Sequence, residues 1–391
     1  ERDGISPAFV GGDGGRARGR PDALRRMGTS VDLDRTRPLD GKHIVVTGGT
    51  GSLGKVLIRR LLGGEMGRPR RITVFSRDEA KQHDMRLHYK NRVVATDEIV
   101  YRNFSELLTF VIGDVRDYHS VASVLRTADV VVNAAALKQV PTCEYFPYEA
   151  VQTNITGPEN IIRAIRENGL AIETVVGVST DKACKPVNVM GMTKAIQERV
   201  FTSANLTCPD TRFVCVRYGN VLASRGSVIP LFHEQIRSGG PVTITTTDMT
   251  RFLLSLEEAV DTVFAAMRGG RRGETYIPRV PSAKVTDVAR ALVGERNVET
   301  VVTGIRPGEK VHEILISEEE CHRSVDRGEF YAIQPVLPEL HGDHEPKAAL
   351  PGEYSSANEV MSYDDVLALL RRQNLLLAEE VPAGEGVELL R

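Results

Sequence analysis

Apolar positions along this chain fall into short runs that alternate with stretches of helical period. KHIVVTGGTGSLGKVLIRRLL (42–62) is a buried strand, a glycine turn and an amphipathic helix. RRITVFSR (70–77) is a second strand, followed by a charged helix from Asp78. LLTFVIGDVRD and ADVVVNAAA supply a third and a fourth, ETVVGVST and RFVCVRYGNV a fifth and a sixth. Helical segments such as PYEAVQTNITGPENIIRAIREN lie between them. Strands rich in Val and Ile, polar on neither face and separated by helices, predict an α/β fold. Its parallel sheet is doubly wound and covered on both sides.

After Val221 the pattern loosens into helices and short strands with longer links: GSVIPLFHEQIRSGG, PVTITTTDMTRF, LEEAVDTVFAAM and KVTDVARALV. The expected organisation is a first domain over 39–220, with 251–270 returning to it. A smaller lobe over 221–250 and 271–375 would close the sheet's carboxyl edge. Residues 1–38, rich in Gly, Arg and Asp, are expected to be an extension that is flexible alone or ordered against a neighbour. Residues 93–108 are expected to be an insertion between the second and third strands, and 376–391 a loose tail.

Composition narrows the function class. Of 391 residues, 41% are hydrophobic and 26% charged, with formal net charge -2, which gives no reason to expect nucleic acid or an anionic membrane as partner. No apolar run approaches the roughly 20 residues of a membrane span, and the N-terminal residues lack the apolar segment of a signal peptide. The five cysteines (Cys143, Cys184, Cys208, Cys215, Cys321) are scattered, as expected of reduced thiols in a cytoplasmic protein. His233, His312 and His322 have no metal-ligand spacing and are taken as structural; no metal is expected.

The first chemistry lies in Thr47-Gly48-Gly49-Thr50-Gly51-Ser52-Leu53-Gly54, directly after the first strand and opening a helix. Gly48, Gly51 and Gly54 allow a tight turn and close approach of a pyrophosphate. Thr50, Ser52 and Leu53 fall where helix N-terminal N–H groups meet phosphate. The second strand ends Phe75-Ser76-Arg77-Asp78. A hydroxyl and a guanidinium there suit a 2′-phosphate better than a free 2′-hydroxyl, so NADP is favoured. Asp114 and Val115 would lie beside the adenine, and Ala134, Ala135 and Ala136 would let the cofactor cross the sheet edge.

The second lies after the fifth strand, in VSTDKACKPVNVMGMTK (178–194). Thr180, Asp181 and Lys182 stand at the carboxyl edge, and Lys194 about one turn into the next helix. Lys194 would hold the nicotinamide ribose; its charge, the cationic nicotinamide and partial burial are expected to lower the pKa of Lys182. A lysine so tuned can be a general base near neutral pH. Asp181 would be the proton donor, although the flanking lysines oppose the raised pKa this needs. A proton shared between the two, titrating as a unit, is the more economical picture.

With these motifs the chain resembles the extended short-chain dehydrogenase/reductases. Within them it is similar to the inverting UDP-N-acetylglucosamine 4,6-dehydratases of surface-polysaccharide pathways. The markers are TGGTGSLG, FSRDE, GDVRD, NAAALKQVP, TNITG, STDKA, RYGNV, MTRF, RPGEKVHE and EYSSAN, spread from about Lys42 to about Leu370. The resemblance implies a Rossmann sheet and tightly bound NADP that takes a hydride from sugar carbon 4 and returns it to carbon 6. It implies Lys182 as the base at carbon 5 and Asp181 as the acid for the departing 6-hydroxyl. Most short-chain enzymes carry tyrosine where this chain has Met190, and a thioether has no proton to move. A branch of the dehydratases is similar in carrying methionine, so the 4-hydroxyl proton is expected to go to Asp181 or Lys182, with Thr180 orienting the hydroxyl.

The resemblance further implies a diphosphate held by Arg217, Asn220 and Arg251, and uridine contacts at Arg306 and Glu309. The SVIPLF segment, from Ser227 and Val228, would line the base; Lys138 and Asn154 are weaker substrate contacts. A homo-oligomer, often a hexamer among relatives, is expected. Two alternatives stay open: a UDP-hexose 4-epimerase, which needs no base at carbon 5, and a non-catalytic NADP(H)-binding protein of the same fold.

Overall fold

The computed structural model describes residues 37–91, 107–222, 227–341 and 347–377. The expectations for residues 1–36, 93–106 and 378–391 lie outside the described residues. The first six strands are β1 His43–Thr47, β2 Arg71–Ser76, β3 Leu108–Ile112, β4 Val130–Asn133, β5 Thr174–Val178 and β6 Arg212–Val216. Then follow β7 Asn220–Val221, β8 Val242–Ile244, β9 Thr250–Leu254, β10 Thr275–Pro278, β11 Ser282–Lys284 and β12 Thr300–Val302. The last four are β13 Ile314–Ile316, β14 Ser324–Asp326, β15 Phe330–Ile333 and β16 Tyr354–Ser355.

Nine strands form one sheet in the order β14-β15-β10-β6-β5-β4-β1-β2-β3. Every neighbouring pair from β3 across to β10 is parallel, and β15 and β14 close the far edge antiparallel. The side chains explain why it is covered on both faces. Ile44, Val46, Val130, Val132, Val176, Val214 and Val216 point into one core, against the helices Ser52–Leu62 and Leu256–Gly269. Their neighbours Val45, Val131, Val175, Phe213 and Cys215 point into the other, against helices Tyr118–Leu125, Gly157–Asn168 and Val189–Thr207. Each fully buried Val or Ile here contributes about 1.5–3 kcal/mol. The strand order reverses between β1 and β4, which opens a crevice at their carboxyl ends.

Two boundaries differ from expectation. Residues 107–108 are no insertion: Leu108 opens β3 and pairs with Ile72. Nor does the sheet end near 270. β10 continues it beyond β6, and β14 and β15 extend it again, although 271–375 was expected to lie wholly in the lobe. Strands of three or four residues carry too little periodicity to announce themselves, and the open β6 edge supplies the backbone partners they need.

The remaining elements build the lobe. β7, β9 and β11 form a small sheet, β8 pairs with β12, and β13 pairs with β16. Helices Val228–Arg237, Val285–Val293 and Tyr363–Arg372 enclose a separate core around Phe232, Val288, Leu292, Val366 and Leu370. β9 and β13 bring this lobe up to the carboxyl edge of the main sheet. Among the described residues no helix is long and apolar enough to cross a membrane.

Candidate active site

A cavity of about 620 Å³ occupies the crevice. Gly48, Thr50, Gly51, Ser52, Leu53 and Gly54 line one end with Ser76 and Arg77; Asp114, Val115, Ala134, Ala135, Ala136 and Lys138 line its length. Thr180, Lys182, Met190, Lys194, Asn220 and Ser227 line the other end. The topology thus brings together the phosphate turn and the acid–base cluster, whose nearest members, Gly54 and Thr180, are 126 positions apart in the sequence.

At the phosphate end, Gly48 has φ +65°, and a Cβ on it would stand 2.7 Å from the Ala135 backbone nitrogen. Only glycine lets β1 turn there against the end of β4. Helix Ser52–Leu62 begins at Gly51 without a side-chain cap, so its first N–H groups are directed at the cavity mouth. Ser76 is fixed by Thr50 Oγ1 (3.2 Å), and Gln82 Nε2 donates to the Ser76 carbonyl (2.9 Å). Arg77 is more than half exposed and lies 3.8 Å from Asp114. Burial would raise the Asp114 carboxyl, but Arg116 and Arg77 together hold it below its ordinary range. Lys81, unmarked in the sequence, also lines this end and pairs with Asp78. These groups fit a dinucleotide whose pyrophosphate meets the helix and whose adenosine ribose meets Ser76 and Arg77.

At the other end, Thr180 caps the short turn Asp181–Ala183, and its hydroxyl donates to Asp181 Oδ1 at 2.8 Å. Lys182 Nζ donates to the same oxygen at 2.9 Å and lies 3.5 Å from Asn220 Oδ1. It also lies 3.4 Å from Glu313 Oε1. Asp181 is fully buried, and its Oδ2 has no partner among the described residues. That oxygen is 3.5 Å from where a Cβ on the cavity-lining Gly219 would stand, but Asp181 itself lies behind the cavity wall and does not line it.

The expected downward shift of Lys182 is corrected. Burial does push its ammonium down, but the Asp181 and Glu313 carboxylates outweigh burial and Arg251, and the net shift is upward. The depressed lysine is Lys194. Its Nζ donates to the Val178 carbonyl (2.6 Å) and Gln197 Oε1 (2.8 Å), and burial brings it down to about 8. Met190 is buried against Cys143 and Ala150 with part of its surface on the cavity.

Four further residues are placed differently from a ligand shell. Arg217 is 2% exposed, and its guanidinium is saturated by Glu198 (2.6 Å), Glu320 (2.7 Å) and the Leu315 carbonyl (2.8 Å). The expectation that it holds a diphosphate is corrected: it ties the lobe to the helix that carries Lys194. Asn154 sits in a π-helical turn, Gln152–Thr156, and clamps Leu137 and Thr193 without lining the cavity. Arg251 donates to the carbonyls of Thr250, Lys310 and Val311. Arg306, largely exposed, stands 4.0 Å from Glu309 outside the cavity lining. Val228 opens its helix beside Ser227, whose buried hydroxyl oxygen has no partner among the described residues. His233 and His312 are engaged by the Leu375 carbonyl and Thr250. Sequence reading passed over Glu313 as a site residue. It stands 131 positions from Lys182, beyond any local pattern.

Comparison with known proteins agrees with this architecture. Residues 44–335 match the family described as polysaccharide biosynthesis protein. A UDP-glucose 4-epimerase of Rickettsia bellii is 40% identical over 340 residues, covering 84% of this chain and 95% of the relative. An inverting UDP-N-acetylglucosamine 4,6-dehydratase of Campylobacter jejuni is 42% identical over 301 residues, covering 76% and 84%. Among solved structures, Pen from Bacillus thuringiensis superposes with TM-score 0.76 at 32% identity, over 86% of this chain and 99% of that one. DesIV, a dTDP-glucose 4,6-dehydratase from Streptomyces venezuelae solved with NAD, shares the fold at TM-score 0.58 and 21% identity, over 69% and 86%. This chain therefore belongs to the polysaccharide biosynthesis protein family, as an enzyme of the nucleotide-sugar dehydratase and epimerase type on an extended short-chain dehydrogenase/reductase fold.

Proposed function

We propose that this enzyme dehydrates a UDP-sugar, UDP-GlcNAc first, to a 4-keto-6-deoxy-hexosamine with inversion at carbon 5, using NADP that stays bound between turnovers. The observation that carries the reading is Lys182 at the cavity end remote from the phosphate turn, paired there with the buried Asp181 behind it. A dehydratase needs a base at carbon 5 and an acid at the 6-hydroxyl; an epimerase needs neither.

The bound nicotinamide would supply reversible hydride acceptance at carbon 4 and return at carbon 6. The chain supplies the protons. Met190 can accept none, so the 4-hydroxyl proton goes to Asp181 by way of the Thr180 hydroxyl, which lines the cavity and donates to the carboxylate. Once the carbon-4 ketone has acidified its neighbour, Lys182 removes the carbon-5 proton. Asp181 returns its proton by the same route to the departing 6-hydroxyl, and water leaves. Lys194 and Asn220 hold the sugar end of the cavity.

Incubation with UDP-GlcNAc in deuterated water tests the reading. The expected product is lighter by one water and carries one solvent deuterium at carbon 5. Lys182→Met is expected to slow that incorporation by about a hundredfold or more, the usual weight of a general base. The Rickettsia relatives favour a second reading, a UDP-hexose 4-epimerase. It would leave the mass unchanged apart from exchangeable hydrogens and alter the sugar's chromatography. For the cofactor, Arg77→Ala is expected to weaken NADP by about ten- to a hundredfold, the loss of one charge-assisted contact, while NAD changes little. Equal weakening of both in a binding titration would remove Arg77 from the 2′-phosphate.

A further inference from the structure

Glu313 lies in the lobe just before β13 and is almost completely buried, with a side chain 3% exposed. Its Oε1 is 3.4 Å from Lys182 Nζ, and its Oε2 has no hydrogen-bond partner among the described residues. A buried carboxylate with one oxygen unsatisfied is costly, so its retention beside a buried ammonium calls for a physical account. Its backbone is clamped. Glu313 N donates to Ser356 Oγ (3.0 Å), and Ser356 N donates back to the Glu313 carbonyl (2.8 Å). Ser356 Oγ bonds Thr250 Oγ1 at 2.7 Å, and Thr250 Oγ1 bonds His312 Nδ1 at 2.8 Å. The lobe thereby holds one carboxylate against Lys182 from the side opposite its own domain. Lys182 thus stands between two carboxylates, Asp181 and Glu313, each with one free oxygen.

We infer that Glu313 is a positioning residue for Lys182: fixed by the lobe, it holds the Nζ at the sugar end of the cavity and keeps it charged between turnovers. The inference rests on the dehydratase reading for the step it serves. The protons balance. The resting Lys182 ammonium first gives one proton to water in the cavity. The amine then accepts the carbon-5 proton, which restores the ammonium and its ion pair with Glu313. Carbon 5 is reprotonated from water, as solvent deuterium would record. Asp181 is engaged meanwhile with the oxygen-bound protons, so the two carboxylates divide the work.

Other groups face Lys182: Asp181 and Thr180 from the turn after β5, Asn220 from β7 and the Arg251 charge from β9. The test therefore changes only Glu313, in the full-length protein. Acetylation of Lys182 by acetic anhydride at pH 8, followed by peptide mass spectrometry, reads the amine without any turnover. Glu313→Gln is expected to raise its acetylation about tenfold, because the ammonium loses one of its two carboxylates. In turnover, Glu313→Gln is expected to lower kcat for carbon-5 deuterium incorporation by about a hundredfold with KM within twofold, and Glu313→Asp to recover part of it. Unchanged acetylation overturns the inference whatever the activity. So does a Glu313→Gln enzyme with wild-type kcat, or a loss in which KM rises with kcat and Glu313→Asp rescues nothing. A wild-type protein that dehydrates no UDP-hexose overturns the dehydratase reading instead, and acetylation still decides whether Glu313 governs Lys182.

Discussion

Lys194 shows how a single residue's chemistry depends on what surrounds it. It is buried 4% exposed, with the Val178 carbonyl and Gln197 as hydrogen-bond partners, and burial lowers it to about 8. A lysine depressed in the folded state binds fewer protons than in the unfolded chain between pH 8 and about 10.5. Its charge therefore opposes folding below pH 8, by up to about 3 kcal/mol, and that penalty is relieved as pH rises through the window. Lys194→Met is expected to be more stable than wild type at pH 7, with the gap closing towards pH 10. Urea midpoints of the cofactor-free proteins at the two pH values check this; a constant gap would mean that Lys194 is not depressed. Met190, four residues earlier, is the opposite case: its inability to move a proton is plain from its chemistry alone.

At the scale of an element, the helix Val189–Thr207 determines where the acid–base turn can sit. Asn188 caps it by accepting from Gly191 N at 2.8 Å, and Asn188 Nδ2 reaches the Gly308 carbonyl in the lobe at 2.8 Å. A Cβ on Gly191 would stand 2.2 Å from the Lys182 carbonyl oxygen. Any larger residue forces the helix and the Asp181–Ala183 turn apart. Gly191→Ala is expected to cost about 1–3 kcal/mol, as overpacked sites do. Its turnover is expected to fall further than its stability suggests, because the displaced backbone carries Lys182. Normal turnover in a folded Gly191→Ala protein would show that Lys182 tolerates displacement.

Across the whole molecule, Arg217 is the tie between lobe and sheet. It joins Glu198, on the helix that bears Lys194, to Glu320 and the Leu315 carbonyl in the lobe. Breaking a buried pair by removing one partner strands the other charge, so Arg217→Met is expected to cost about 3–5 kcal/mol in urea unfolding. Burial raises the Glu320 carboxyl, but Arg217 overrides it and holds it at about 2. A depressed carboxylate stabilises the fold above its unfolded value near 4.5, and that contribution is lost as pH falls towards 2. Arg217→Met is expected to lack this acid-linked loss, which stability measured from pH 6 to pH 3 would reveal. An unchanged profile would show that the tie carries no such coupling.

The chain's own sequence was sufficient for features carried by neighbours along it. The Val-rich strands β1 to β6, the glycine turn after β1 and the cluster from Thr180 to Lys194 are all set by local periodicity, turn chemistry and spacing. The tertiary structure alone decided what depends on distant partners. It withdrew Arg217 from the ligands, turned Asn154 into a clamp, and joined β10, β14 and β15 to the main sheet. It also set Glu313 beside Lys182, where it joins Asp181 in reversing the expected shift of that lysine. Local pattern reports which face of an element is buried, whereas a side chain's charge state and role are set by the groups that folding brings against it.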